Sequence, residues 1–198
     1  LHVRSSLNNR KGTMIVAETE EMERIVVRGA ALKKQLARVT LRDVPDKPGL
    51  AAKIFHAIAE AKIVVDDIIQ TESGPKAATV SFTVDMGDLH AVEQVCEALC
   101  RKTKGMSAEF EEDLAKVSVV GVGMRVHTGV AERMFESLAD NGLNIRNITT
   151  SEIKISCIID RKDGPRALKV VHDAFGLGGK GRKKSTKKAS PKKTAARK

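Results

Sequence analysis

The chain has 198 residues, a formal net charge of +10, three cysteines, and no Trp or Tyr. Three cysteines without paired spacing exclude a disulfide framework and are typical of a reducing compartment, and no apolar run reaches the roughly 20 residues of a membrane span. The lack of Trp and Tyr removes the usual stacking platforms for single-stranded nucleic acid from the body of the protein. We therefore expect a cytoplasmic protein with no membrane contact.

The positive charge is concentrated at the C-terminal end. Residues 180–198 contain ten of the 35 Lys and Arg residues and no acidic residue. The other 25 basic residues balance the 25 acidic ones, so the rest of the chain is formally neutral. Without apolar periodicity, residues 179–198 are predicted to form a disordered basic tail.

Hydrophobic periodicity and turn signals predict a β-α-β-β-α-β unit in the first half of the chain. Residues 1–15 predict a short strand and a polar turn, residues 16–23 an acidic linker, and residues 24–32 an isolated strand. The unit follows as strand 37–44, helix 48–61, strand 63–71, strand 77–84, helix 88–102 and strand 106–112. This order is the ferredoxin-like plan.

A second unit follows the same plan but lacks one strand. It contains strand 115–122, helix 129–140, strand 143–149, strand 152–159 and helix 164–175. The isolated strand is the simplest way to complete it, which would insert the first module in the second. We therefore predict an α+β fold of two ferredoxin-like βαββαβ modules, with 24–35 completing the second module, 36–113 forming the first and 114–178 forming the rest of the second.

An internal repeat supports this plan. Five residues recur 80 positions later, namely Gly49, Ala51, Phe55, Ala59 and Ile68 as Gly129, Ala131, Phe135, Ala139 and Ile148. Both first helices space their apolar residues i, i+3, i+4, i+7, which indicates a buried face rather than a cofactor-binding motif.

The loop D-V-P-D-K-P-G-L-A at residues 43–51 predicts a site for a small zwitterion. Gly49 would let a ligand approach the backbone, and the N–H groups that open the following helix suit a carboxylate. Asp46 would pair with an ammonium group, and Gln70 would supply an amide. An ordinary Pro-Gly turn, with Asp46 capping the helix, has equal weight on these residues alone.

Other reactive side chains are given no catalytic or metal-binding role. Cys96 and Cys100 lie four residues apart on a predicted helix, but no second Cys or His motif follows, so packing explains them better than metal binding. His127, in the second copy of the loop, has no carboxylate or nucleophile motif beside it.

Three motifs carry a family resemblance. They are L-H-V-R-S-S at the start of the chain, L-R-D-V-P-D-K-P-G-L-A-A-K-I-F from residue 41, and G-V-G-M-R-V-H-T-G-V-A with T-S-E-I-K-I-S from residue 121. Together they resemble the regulatory region of aspartate kinase, built from paired ACT domains that bind amino-acid end products. The resemblance spans residues 1–178 and implies that residues 1–15 end an amino-acid-kinase domain.

The resemblance implies a homodimer with two sites for free amino acids, threonine and/or lysine. Each amino acid would be held between modules of the two chains. The threonine-type site would use residues of one chain and two residues of its partner: Asp46, Lys47, Gly49, Ala51 and Gln70 with Asn144 and Ile145. The lysine-type site would use Asp66, Val130, Ser151 and Glu152. A kinase domain or large subunit, with ATP and Mg, would carry the catalysis, and this chain would hold no cofactor.

Several positions depart from the family pattern. The second loop has V-H-T-G at residues 126–129 where the family commonly has S-H-P-G, Ala131 stands where some members have a hydroxyl residue, and residues 72–78 lack the usual D-G-T-T-D. The K-F-G-G-[ST] phosphate-binding motif is absent, so we expect no aspartate phosphorylation by this chain alone. The chain starts with Leu, which favours a fragment of a longer enzyme over a separate small subunit begun at Met14 or Met22.

The tail leaves a second interpretation open. S-P-K-K at residues 190–193 and the ten positive charges would suit salt-sensitive binding to nucleic-acid phosphates, while a solubilising role has equal weight. The alternative to a kinase regulatory region is therefore a stand-alone amino-acid sensor whose tail engages nucleic acid. A nucleoid protein is disfavoured because the folded part is formally neutral.

Overall fold

The computed structural model describes residues 2–3, 13–14, 27–122 and 129–178. The predictions for the basic tail, for His127 and for most of residues 1–26 lie outside this part of the chain. Within residues 1–15, β1 (His2–Val3) pairs with β2 (Thr13–Met14) in an antiparallel ladder.

The remaining strands form one six-stranded antiparallel sheet. The elements follow in the order β3 (Val27–Pro45), α1 (Leu50–Glu60), β4 (Asp66–Gly74), β5 (Ala77–Asp85), α2 (Leu89–Lys102), β6 (Ser107–Gly121), α3 (Val130–Ala139), β7 (Asn147–Thr150), β8 (Lys154–Asp160) and α4 (Gly164–Ala174). The strand order is β4-β5-β3-β6-β8-β7. The predicted α+β fold of two ferredoxin-like modules is confirmed.

Strands β3 and β6 are shared by both modules. Residues 27–33 of β3 pair with residues 116–121 of β6, while the later part of β3 pairs with β5 and with the start of β6. The first part of β3 is therefore the fourth strand of the second module, and the first module is inserted in the second.

The prediction of separate strands at 24–32 and 37–44, and at 106–112 and 115–122, was wrong. Each pair is one continuous strand, of 19 residues in β3 and 15 in β6. The register shifts between Lys33 and Leu36 and again between Leu36 and Arg38. Gln35 (φ 63°) and Asp113 (φ 56°) adopt left-handed backbone conformations at this point, so the polar residues mark bulges within the strands rather than loops between them.

Each module has its own core, and a small third cluster joins them. Ile54, Ile58 and Phe82 are buried in the first core, and Met134 and Leu138 in the second. The larger apolar residues of both predicted helix faces therefore pack in the cores, with Phe55, Ala131 and Phe135 at their edges. Ala51 of the first face lines a cavity instead. Leu36, Leu114 and Ile158 form the third cluster, in the shared strands and in β8.

The cysteines are packing residues, as expected. Cys96 is fully buried in the first core, and Cys100 packs against its edge. Burial raises the pKa of the Cys96 thiol to about 12. Cys157 is buried in the second core, and burial raises its pKa to about 12 as well, so both thiols stay protonated near neutral pH.

The sheet curves until its two edges meet. Strands β4 and β7 are the outermost strands of the sheet, yet Thr149 Oγ1 on β7 donates a hydrogen bond of 3.1 Å to Asp67 Oδ1 on β4. The outer strand of the first module therefore contacts the outer strand of the second module. Among the described residues, no helix is long and apolar enough to cross a membrane.

We predict that the junction cluster contributes strongly to stability. Leu36 is 1% exposed, and Leu36→Ala should lower the free energy of unfolding by about 3 kcal/mol because it leaves a cavity between the modules. Val64→Ala is the control, since Val64 is 73% exposed and its truncation should change stability by less than about 0.5 kcal/mol. Urea unfolding measures both, and equal small effects would contradict the assignment.

Candidate functional site

A cavity of about 480 Å³ lies where β3 passes into α1. The loop between these elements forms one wall, and β4 and β5 form the other. Its lining consists of Val44, Pro45, Asp46, Lys47, Pro48, Gly49, Leu50, Ala51, Gln70, Ala78 and Val80. A volume of this size lies within the usual range for small-molecule pockets.

The backbone of this loop is fixed by internal hydrogen bonds, and a first-turn N–H of α1 is left over. The N–H of Asp46 donates to the Lys76 carbonyl over 2.9 Å, and that of Lys47 donates to the Pro45 carbonyl over 2.9 Å. Gly49 is the N-cap of α1 in a left-handed conformation (φ 87°), and no side chain caps the helix. The first-turn N–H of Ala51 makes no backbone hydrogen bond in the described chain, so it is available to an anion.

This geometry excludes one of the roles considered for Asp46, that of a helix cap. Asp46 does not cap α1, because the N-cap is Gly49 and the helix has no side-chain cap. The Asp46 carboxylate is instead exposed at the cavity. The second module repeats the arrangement, since Gly129 is the N-cap of α3 with φ 90° and likewise has no side-chain cap.

The threonine-type set divides into two groups. Five of its residues line the one cavity: Asp46, Lys47, Gly49, Ala51 and Gln70. Asn144 and Ile145 lie in the second module between α3 and β7, and the described chain does not bring them to this cavity. Asn144 is exposed, and Ile145 packs at the edge of the second core.

The lysine-type set is arranged differently. The Asp66 carboxylate accepts a hydrogen bond from this chain's own Lys116, and Val130 is 7% exposed in the second core. Ser151 and Glu152 lie in the turn between β7 and β8, where the Ser151 N–H donates to the Lys154 carbonyl over 2.7 Å. Thr149, two residues before Ser151, donates a hydrogen bond to Asp67, the residue that follows Asp66.

Lys116 is a buried charge that sequence reasoning missed. It alternates on β6 with Ala115 and Val117 of the second core, so its side chain points to the opposite face of the sheet. Its ammonium group donates to Asp66 and, over 2.9 Å, to Asp67 Oδ2, and the side chains of Lys116 and Asp67 are each 5% exposed. The sequence did show a lysine within a predicted strand and two adjacent aspartates. Nothing in it showed that the start of β4, which carries the aspartates, would lie close to Lys116 on β6.

The electrostatics of this cluster favour the charged forms. The hydrogen bond from Lys116 lowers the pKa of Asp66, and burial opposes that shift. Burial lowers the pKa of Lys116, but the hydrogen bonds to Asp66 and Asp67 outweigh burial and the net pKa is raised. The cluster therefore joins the two modules through an ion pair that stays charged near neutral pH. No group of metal-ligating side chains occurs among the described residues.

Comparison with known proteins defines the class first. Profiles of the ACT domain match residues 39–102 and 117–175, which lie in the first and the second module. The chain is therefore a tandem of ACT domains.

Relatives then define the family. The regulatory subunit of aspartate kinase from Thermus thermophilus, in a ligand-free crystal structure, is 41% identical, with a TM-score of 0.70 over 76% of this chain and 99% of that one. A structure of aspartokinase alpha and beta subunits is 43% identical, with a TM-score of 0.68 over 76% of this chain and 99% of the matched chain. Aspartokinase of Geobacillus stearothermophilus is 43% identical over 177 residues, 89% of this chain and 42% of that protein. The chain belongs to the aspartate kinase family and corresponds to its regulatory region, spanning less than half the length of that curated relative.

We predict that removing the Lys116 ammonium destabilises the protein. Lys116→Ala should lower the free energy of unfolding by about 3 kcal/mol, because it leaves the Asp67 carboxylate buried without its cation. Arg101→Ala is the control, since Arg101 pairs with Glu97 at 3.6 Å in the solvent and should contribute less than about 1 kcal/mol. Urea unfolding at neutral pH distinguishes the two, and similar small losses would contradict the buried pair.

We also predict a specific acid sensitivity. The folded-state pKa of Asp66 is lowered, so its contribution is fully present above the unfolded pKa of about 3.9 and is lost as pH falls through the folded value. The stability difference between the unmodified chain and Asp66→Asn should therefore be largest near pH 7 and shrink below about pH 4. A difference that stays constant down to the acid limit of folding would show that the Asp66 charge is not responsible.

Proposed function

We propose that this regulatory region binds end-product amino acids and thereby inhibits an aspartate kinase, which phosphorylates L-aspartate to 4-phospho-L-aspartate with ATP. This reaction is the first step toward lysine, threonine and methionine. The observation that carries the proposal is the convergence of Asp46, Lys47, Gly49, Ala51 and Gln70 on one cavity under a helix N-terminus. ATP and Mg would belong to the catalytic domain and not to this chain.

The cavity offers complementary groups for both ends of a free amino acid. The ligand carboxylate would accept hydrogen bonds from the N–H groups at the start of α1, where the helix dipole favours an anion. The ammonium group would pair with the exposed Asp46 carboxylate at the same cavity. The Gln70 amide on the opposite wall would contact the ligand side chain, which suits the hydroxyl of threonine or the amine of lysine.

A second copy of the chain would complete this site. We infer a homodimer in which Asn144 and Ile145 of the partner approach the first cavity, because the same chain does not bring them there. Two equivalent residues of the internal repeat support contact between two chains at the outer strands. Ile68 on β4 is 52% exposed, and Ile148 on β7 is 44% exposed. A closed interface would remove these apolar surfaces from water.

The catalytic partner would be joined covalently or as a large subunit. The relative solved as alpha and beta subunits supports the second arrangement for that protein. In either case we propose that residues 1–15 are the end of an amino-acid-kinase domain and that residues 16–23 are a linker. Residues 24–35 and 114–178 would form the second module, and residues 36–113 the first. Catalysis and sensing would take place in the cytoplasm.

Inhibition requires the effector to prefer one of two arrangements of the modules. A ligand held between chains meets this requirement, because its contacts exist only when the modules approach correctly. The lysine-type set has weaker support, since Lys116 already engages Asp66 and Val130 is buried. We therefore propose the cavity at Gly49 as the principal effector site. The similar proteins are an aspartokinase and subunits of aspartate kinases, which favours regulation of a kinase over a stand-alone sensor.

We predict that Asp46→Ala weakens amino-acid binding at least about tenfold without altering the fold, since it removes the ammonium partner. Thermal unfolding with threonine, lysine or methionine measures the effect, because a ligand at 100 times its dissociation constant adds about 2.7 kcal/mol to stability. Asp140→Ala, an exposed carboxylate at the end of α3, is the control and should keep the full shift. Equal shifts in both variants would refute the role of Asp46.

A further inference from the structure

We propose that the junction between the modules holds a second site, for a compact anion that bears phosphate groups, such as a pyrophosphate or a phosphorylated metabolite. A cavity of about 680 Å³ lies there, larger than the cavity at Gly49. Its lining is almost entirely charged: Lys34, Asp113, Arg146, Asp160, Arg161, Lys162 and Pro165. The described residues that line this cavity and those that line the first do not overlap, so the two sites are separate.

Two arginines in this cavity are already held in place. Arg146 Nε donates to Asp160 Oδ1 over 3.0 Å, its Nη2 lies 2.9 Å from the same oxygen, and its Nη1 lies 3.4 Å from Glu111 Oε1. Arg161 Nη1 donates to Asp113 Oδ1 over 3.1 Å. A guanidinium group has five N–H donors, so each arginine keeps donors for a ligand while its orientation is fixed by a carboxylate.

The two lysines of the lining donate no hydrogen bond to a carboxylate of the cavity. Lys34 makes no ion pair with the described residues, and Lys162 Nζ lies 3.9 Å from Asp160 Oδ2, beyond hydrogen-bond distance. Four cations and two carboxylates line the cavity, and Glu111 beside Arg146 adds a third carboxylate, so one positive charge remains in formal excess. A bound anion would balance this excess and would use the donors that the lysines keep free.

The lining also restricts the chemical class of the ligand. Phosphate groups suit the cavity, because arginine binds them through two parallel N–H donors and lysine adds a point charge. Among the described residues that line the cavity, Pro165 is the single apolar one and none is aromatic, so none offers a surface on which a nucleobase would stack. These features favour a compact polyanion over a nucleotide.

The cavity spans the point where the modules join. Lys34 precedes the left-handed Gln35 of β3, and the left-handed Asp113 belongs to β6, so both shared strands contribute at their bulges. Arg146 and residues 160–162 come from the second module alone. A bound anion would therefore link the shared strands to the end of β8.

Calorimetric titration of the full chain with inorganic pyrophosphate, at about 0.15 M salt, tests the proposal. Lys34→Gln with Arg161→Gln should weaken binding at least about tenfold. Lys104→Gln with Lys169→Gln removes the same charge from exposed positions and should weaken it less than about twofold. All of these chains keep the basic tail, so its contribution is the same in each.

Two further measurements separate specific binding from loss of fold. Lys34→Arg with Arg161→Lys should retain pyrophosphate binding, and the thermal midpoints of all variants should agree within about 3 °C. The proposal is overturned if the unmodified chain does not bind pyrophosphate, if both charge-removing pairs weaken binding equally, or if the charge-preserving pair fails to bind. Tighter binding of ATP than of pyrophosphate would overturn the compact class of ligand.

Discussion

The rest of the structure depends on one constraint, which is that two strands serve both modules. Because β3 and β6 run through the whole sheet, neither module has four strands of its own without the backbone of the other. A displacement of one module must therefore pass through a continuous hydrogen-bonded ladder, with the buried Leu36 cluster at its centre. Two small domains on a flexible linker would move independently, whereas two domains on shared strands transmit a change in one to the other.

The Lys116 cluster adds a second connection on the other face of the sheet. Burying an ammonium group is costly unless its donors are satisfied, and Asp66 and Asp67 satisfy them here. Because these aspartates start the edge strand β4 and Thr149 lies on the opposite edge, the ion pair forms only when the sheet has curved. Asp66, which the resemblance assigns to the lysine-type site, is thus paired with an amine of the chain itself.

The sequence predicted most of the fold because the repeat, the apolar spacing and the missing strand each constrain the topology. It also placed Asp46, Gly49 and Gln70 in one site, since the carboxyl end of one strand and the start of a helix are adjacent by connectivity. It failed where polar residues such as Gln35 and Asp113 lie within strands, because a bulge and a loop have similar composition. The Lys116 contact was not predictable, since it depends on sheet curvature and not on local pattern.

The central claim is that the loop at Gly49 binds the two charged ends of a free amino acid. Amide NMR of the full chain, titrated with threonine, lysine and methionine, tests this most directly because it reports which N–H groups meet the ligand. The account predicts saturable shifts, for at least one of the three, that are largest at Gly49, Ala51 and Ala52. Saturable binding with its largest shifts elsewhere, or no shift at these amides with any of them, would contradict it.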